Sequence, residues 1–254
     1  MKSASGVDPV WTVAGVPTDF EWLNSAEREF QICFKCHSSF TILAAYRPDG
    51  WNGASSVANG LFKLDNEEGR QSPDYRDLAV EFNPNNASFH PVITQGRNLA
   101  IPPDSFVNGW AVSSLVYCSD CHANASASTQ GDGPHGSPLL HLLDGSQNYT
   151  TVDNDSAPFS GELCFKCHDF ATYAGEGQAS NTLFRDGDEN LHATHTREET
   201  TPCYVCHDTL GSEQLHLINC DTSVVNISGV NRDSKYAWEF DGTSGTCFLS
   251  CHQL

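Results

Sequence analysis

The chain has 254 residues and a formal charge of −19, with 13 Lys and Arg against 32 Asp and Glu. That balance excludes a nucleic-acid partner, which needs a basic face, and no apolar run reaches the ~18 residues that would make the chain membrane-spanning. Hydrophobic residues make up 39%, against 20 Gly and 12 Pro, so the chain alone supplies a thin core. The acidity reads first as a solubility device. Attraction to cationic redox partners or metal ions is the second reading.

Residues 1–32 contain neither cysteine nor histidine. Val10 to Val16 alternates loosely, and Thr18 or Asp19 is expected to cap a short helix through Phe30. This N-terminal arm reads as a packing strap, with a contact arm for a neighbouring subunit as the alternative. Residues 33–254 read as one domain. Met1 to Ser5 is not a signal peptide.

Cys33-Phe34-Lys35-Cys36-His37 opens a series. It recurs as Cys118-Ser119-Asp120-Cys121-His122, Cys164-Phe165-Lys166-Cys167-His168 and Cys203-Tyr204-Val205-Cys206-His207. A fifth copy, Cys247-Phe248-Leu249-Ser250-Cys251-His252, has three residues between its thiols. Residues 38–117, between the first two copies, carry turn signals such as Pro48-Asp49-Gly50, and Phe106 to Tyr117 is expected to form a short strand. Later copies are separated by residues 123–163, 169–202 and 208–246, a loose repeat of one helical turn followed by loop. Alternation from His216 to Val225 predicts a strand, and Val224 to Val230 is expected to pair with Lys235 to Phe240.

Two thiols three apart with an imidazole directly after the second form the attachment motif of c-type haem. The cysteines form thioethers with the porphyrin, and the histidine is the proximal iron ligand. Zinc ribbons and disulfide scaffolds use paired cysteines but do not need that adjacent histidine. Five covalent haems would supply much of the core, as staples do in small scaffolds. Such attachment follows export, so the chain is expected to be a mature or trimmed form, extracellular or at the cell surface, with the periplasm as alternative. The eleventh cysteine, Cys220, reads as a small buried hydrophobe. Sequons beginning at Asn86, Asn124, Asn148 and Asn226 read as chance occurrences.

Eleven histidines decide the coordination. His37, His122, His168, His207 and His252 are proximal. Of the six others, His90, His135, His192, His195 and His216 are expected as distal ligands, and His141 is left out. The lone methionine is Met1, so histidine–methionine ligation, which raises the potential, is nearly excluded. Two imidazoles per iron leave no open position, which argues against an enzyme.

The sites, with Asn83-Pro84-Asn85-Asn86-Ala87-Ser88-Phe89-His90-Pro91-Val92, Gly133-Pro134-His135-Gly136, Leu191-His192-Ala193-Thr194-His195-Thr196 and Leu215-His216-Leu217-Ile218-Asn219, resemble multihaem c-type cytochromes of metal-reducing bacteria. Within these the likeness, over residues 30–252, is to the OmcE/OmcS-like extracellular cytochrome nanowire type. It implies a multihaem cytochrome c fold: loop-dominated, with short helices and few short strands, organised around a chain of five covalent haems. It also implies a homopolymer built by head-to-tail contact, in which one iron takes a histidine from the next subunit. The first attachment site lies near the start and only Gln253 and Leu254 follow the last, an arrangement suited to heterologous contacts that build filaments. The expected function is electron transfer through five closely packed bis-histidine haems, to other redox proteins or extracellular acceptors. The alternatives are a monomeric periplasmic shuttle and a multihaem reductase.

Overall fold

Side-chain staples, more than long elements, hold this chain together. The structure, a computed structural model, describes residues 4–42, 77–123, 135, 142–143, 160–221, 224–225, 238–240 and 245–249. Expectations for His141, Cys251, His252, the Pro48-Asp49-Gly50 turn and the sequons at Asn124, Asn148 and Asn226 lie outside them. The chain forms two compact units, residues 1–97 with 205–254, and residues 98–204. Among the described residues no helix is long and apolar enough to cross a membrane.

In the first unit, β1 (Gly6–Val10) pairs antiparallel with β2 (Asp19–Leu23), in register from Gly6↔Leu23 to Val10↔Asp19. This corrects the expected helix from Thr18 or Asp19 to Phe30. Phe20 is buried between exposed Asp19 and Glu21, a period of two that suits a strand. The helix is only α1 (Glu29–Cys33). Gln31, itself buried, takes the Glu27 and Arg28 N–H groups on Oε1 and ties α1 to Asp8 through Nε2. Phe30 and Phe34 then face inward, with centroids 5.3 Å apart, and Phe34 stacks on Phe82. Trp11 Nε1 donates to Ala79 O at 2.9 Å, which fastens residues after β1 to α2 (Leu78–Glu81).

The Asn-Pro-Asn-Asn stretch is a bracket. Asn83 is fully buried; its Nδ2 donates to Val13 O at 2.9 Å and Gly15 O at 2.8 Å, and its Oδ1 accepts from Asn85. Asn86 Nδ2 donates to Val80 O and Glu81 O, so the atom a glycan would need is already engaged. Ser88–Phe89 pairs with Gly211–Ser212. Residues 217–221 run antiparallel along 205–208, through Asp208 N to Leu217 O, Asn219 N to Cys206 O and Asp221 N to Val205 O. The expected strand from His216 to Val225 is therefore a 3-10 turn (Leu215–Leu217) and a single bridge at Ile218. Trp238–Phe240 forms a ribbon with Gly245–Cys247, and most of the pairing expected between Val224 to Val230 and Lys235 to Phe240 lies outside the described residues. Cys220 is buried against Leu249, with Ile218, Val225 and Cys247 around it.

The second unit contains α3 (Cys118–Cys121), a 3-10 turn at Leu163–Lys166, α4 (Phe170–Tyr173) and α5 (Leu191–Ala193). A π-helical turn, Thr194–Glu198, continues α5. Asn190 caps α5 through Oδ1 and donates from Nδ2 to Thr172 O at 2.7 Å. The strand expected over Phe106 to Tyr117 is reduced to one bridge, Phe106↔His168. Left-handed Asn108 (φ 55°) and Gly109 (φ 83°) turn the chain away directly afterwards.

Candidate functional site

The first four cysteine–histidine motifs form helical turns. His37, His122 and His168 each donate their N–H to the carbonyl of the motif's first cysteine, at 2.9, 2.9 and 3.0 Å. That i to i+4 bond stacks the histidine and the first cysteine on one face, with the second cysteine beside them. At the fourth motif, Cys203–Val205 is a 3-10 turn. Spacer residues anchor the turns: Phe34, Phe165 and Val205 are buried, while Lys35 reaches Ser5 Oγ and Lys166 donates to Asp120 O at 2.7 Å. Of the fifth motif, Cys247 closes the terminal ribbon. Among the described residues no cysteine is in a disulfide.

In the second unit two motifs meet at sulfur, with the sulfur of a third nearby. The hydrogen bond that the Cys164 S–H donates to Cys203 holds the Cys164 thiol well above its usual range, helped by burial and by the nearness of Glu162 and Cys121. Burial raises Cys167 too, with Asp120 adding and Lys166 opposing. These surroundings favour the neutral thiol at Cys164 and Cys167. No group of three or more His, Cys, Asp or Glu suited to a metal ion occurs among the described residues.

Histidine ring nitrogens follow a common pattern. His207 Nδ1 lies 3.0 Å from His216 O, His90 Nδ1 2.8 Å from Thr209 O, and His195 Nδ1 2.7 Å from Leu191 O. A carbonyl cannot donate, so each imidazole does, and its lone pair falls on Nε2. This is the tautomer of metal-binding histidines whose second nitrogen is oriented by a carbonyl. His192 Nδ1 hydrogen-bonds Thr182 Oγ1 at 2.6 Å. Burial lowers the pKa of His90, against the Thr209 bond and Asp208, and lowers that of His216, which favours the neutral ring.

The structure brings some predicted residues together. In the first unit, His90, His207 and His216 share one segment: His90 N donates to Leu210 O and its ring to Thr209 O. His37 accepts Leu78 N–H at its carbonyl. In the second unit, His168 lies between Phe106, stacked, and Tyr173, edge-on, both at 5.5 Å. Tyr173 and Phe184 meet His192 at 5.0 and 5.1 Å, and Phe184 meets His195 at 5.4 Å. His122 bridges Leu143, and His135 is exposed.

Sequence reasoning passed over Asn83, Ser88, Phe106, Tyr173, Thr182, Phe184 and Asp208, which hold these histidines or their supporting loops. The only hint was that several flank the resemblance stretches. No family model, curated protein or solved structure matches the chain.

Proposed function

We propose that the chain holds five covalent haem c groups and conducts electrons among them, as the repeating subunit of an extracellular filament. One observation carries the reading: Cys-x-x-Cys-His recurs four times, with a fifth variant copy, beside histidines whose Nδ1 atoms are held by carbonyls. The described residues suit the group, because helical turns set two thiols and an imidazole close together within one turn of chain.

Thioethers would form at Cys33, Cys36, Cys118, Cys121, Cys164, Cys167, Cys203, Cys206, Cys247 and Cys251. The iron would be held by His37, His122, His168, His207 and His252 together with His90, His135, His192, His195 and His216. When bound, haem supplies reversible one-electron exchange at iron. The protein's own part is orientation and insulation. Nδ1–H bonds to carbonyls fix the ring planes and raise imidazole basicity. Phe106, Tyr173 and Phe184 pack against His168, His192 and His195 and give these half-buried rings apolar neighbours.

The test is haem stoichiometry and spin state. Five thioether-bound haems per chain by intact mass, resistant to acid extraction, with a low-spin bis-imidazole spectrum, are expected. A haem-free chain, or a high-spin centre that binds cyanide readily, overturns the reading. The filament rests on the resemblance, and electron microscopy of the native protein tests it: isolated particles would leave a shuttle.

A further inference from the structure

His216 is the histidine nearest to His207 in sequence, nine positions on, and the two meet in space. Proximity alone suggests that they clasp one iron from its two faces. The contact has another geometry. His207 Nδ1 donates to the backbone carbonyl of His216, at 3.0 Å.

We infer that His216 is an axial ligand of an iron other than the one that His207 ligates, so that this hydrogen bond joins the ligand shells of two haems. The inference rests on the haem reading above. An axial imidazole binds through Nε2 at about 2 Å, with Nδ1 on the far side of the ring. A carbonyl that accepts from Nδ1 therefore lies below the porphyrin, a full ring and a hydrogen bond from the metal. The opposite axial position is above the disc. The side chain of the residue that owns this carbonyl cannot span that distance, and the macrocycle blocks the direct path.

The backbone agrees with this separation. His216 and Leu217 both adopt left-handed conformations, with φ of 60° and 58°, which residues other than glycine rarely take. Such strain persists only where surroundings impose it. Here Leu217 N–H donates to Ser88 Oγ at 2.8 Å, Asp208 N–H to Leu217 O at 2.7 Å, and Ser88 Oγ to Gln214 O. The loop is thus clamped on both sides of His216 while its carbonyl is aimed at His207.

Counting spin states in the full-length protein tests this. Four proteins are compared: the parent, His207→Ala, His216→Ala and the double variant, each with haem counted by mass and high-spin haem by electron paramagnetic resonance. His216→Ala is expected to convert one low-spin haem per chain, in the parent and again in the His207→Ala background. This holds even if His207→Ala fails to retain its own haem, because the iron of His216 is a different one. If His216→Ala adds no high-spin haem in the His207→Ala background, the inference is overturned. If it adds none in the parent, His216 is no ligand and the inference also fails. Should His216→Ala fold poorly, His216→Met replaces it. A histidine–methionine absorption band, present in both backgrounds, is the expected result, and its loss with His207→Ala overturns the inference. A parent without haem would instead sink the underlying reading.

Discussion

The ring of Tyr173 meets the ring of His168 edge-on, with centroids 5.5 Å apart, and meets His192 in the same manner at 5.0 Å. One aromatic side chain thus supports a motif histidine and a histidine 24 positions later. Tyr173→Ala is expected to cost roughly 2–4 kcal/mol, as loss of a large, substantially buried ring does. Tyr173→Phe keeps the ring and is expected to cost about 1 kcal/mol, through the lost hydroxyl bond to Ser105. Chemical denaturation of both variants separates the two contributions.

Asn83 is buried and spends both ends of its amide, on Val13 and Gly15 carbonyls and on Asn85. Asn83→Ala leaves those carbonyls without their donor, and a loss of about 2–4 kcal/mol is expected. Proteolysis should then start at residues 11–18, between β1 and β2. An unchanged denaturation midpoint would count against the bracket role.

Burial pushes Asp77 above the usual carboxylate range, against polar contacts from Ser39, Ala79 and Val80 that lower it. A raised folded-state value means that the folded protein binds this proton more tightly than the unfolded chain. The favourable contribution is complete below the unfolded value and is lost as pH rises through the folded one. Asp77→Asn, which still offers an oxygen to Ala79 N–H, should therefore gain stability relative to the parent at neutral pH. That advantage should vanish in acid. Thermal melts across pH 3–8, a window spanning roughly the carboxylate range, would read the difference, and an advantage that grew in acid would reverse the assignment.

Two glycines should respond differently to alanine. A Cβ at Gly211 would lie 1.8 Å from Glu81 O, so the Gly211–Ser212 pairing with Ser88–Phe89 must shift. A cost of about 3 kcal/mol or more is expected, with weakened support for the loop that carries His216. At Gly15 a Cβ meets nothing within 4 Å, but φ is +97°. There the cost is strain alone, about 1–2 kcal/mol. Equal effects at the two positions would contradict this account.

Local spacing made the cysteine–histidine turns readable, because a pentapeptide with one intrahelical bond contains its own geometry. Cys220 was likewise legible as a buried hydrophobe. Strand boundaries were not. Asp19–Leu23 carries a helix-cap signal and a period-two pattern together, and pairing with Gly6–Val10 decided between them. Phe106 to Tyr117 has strand-forming residues, but Asn108 and Gly109 end any pairing after one bridge.

The spacing of two thiols and an adjacent imidazole within a few residues was open to inspection in the chain itself. The company each histidine keeps was not. His90 meets Thr209 across 119 positions, and Ser88 meets Leu217 across 129. Contacts at such separation leave no periodic trace, since loop closure lets many alternatives compete at similar entropic cost. Only packing of the folded chain selected among them, and it set the His216 carbonyl, rather than the His216 ring, against His207.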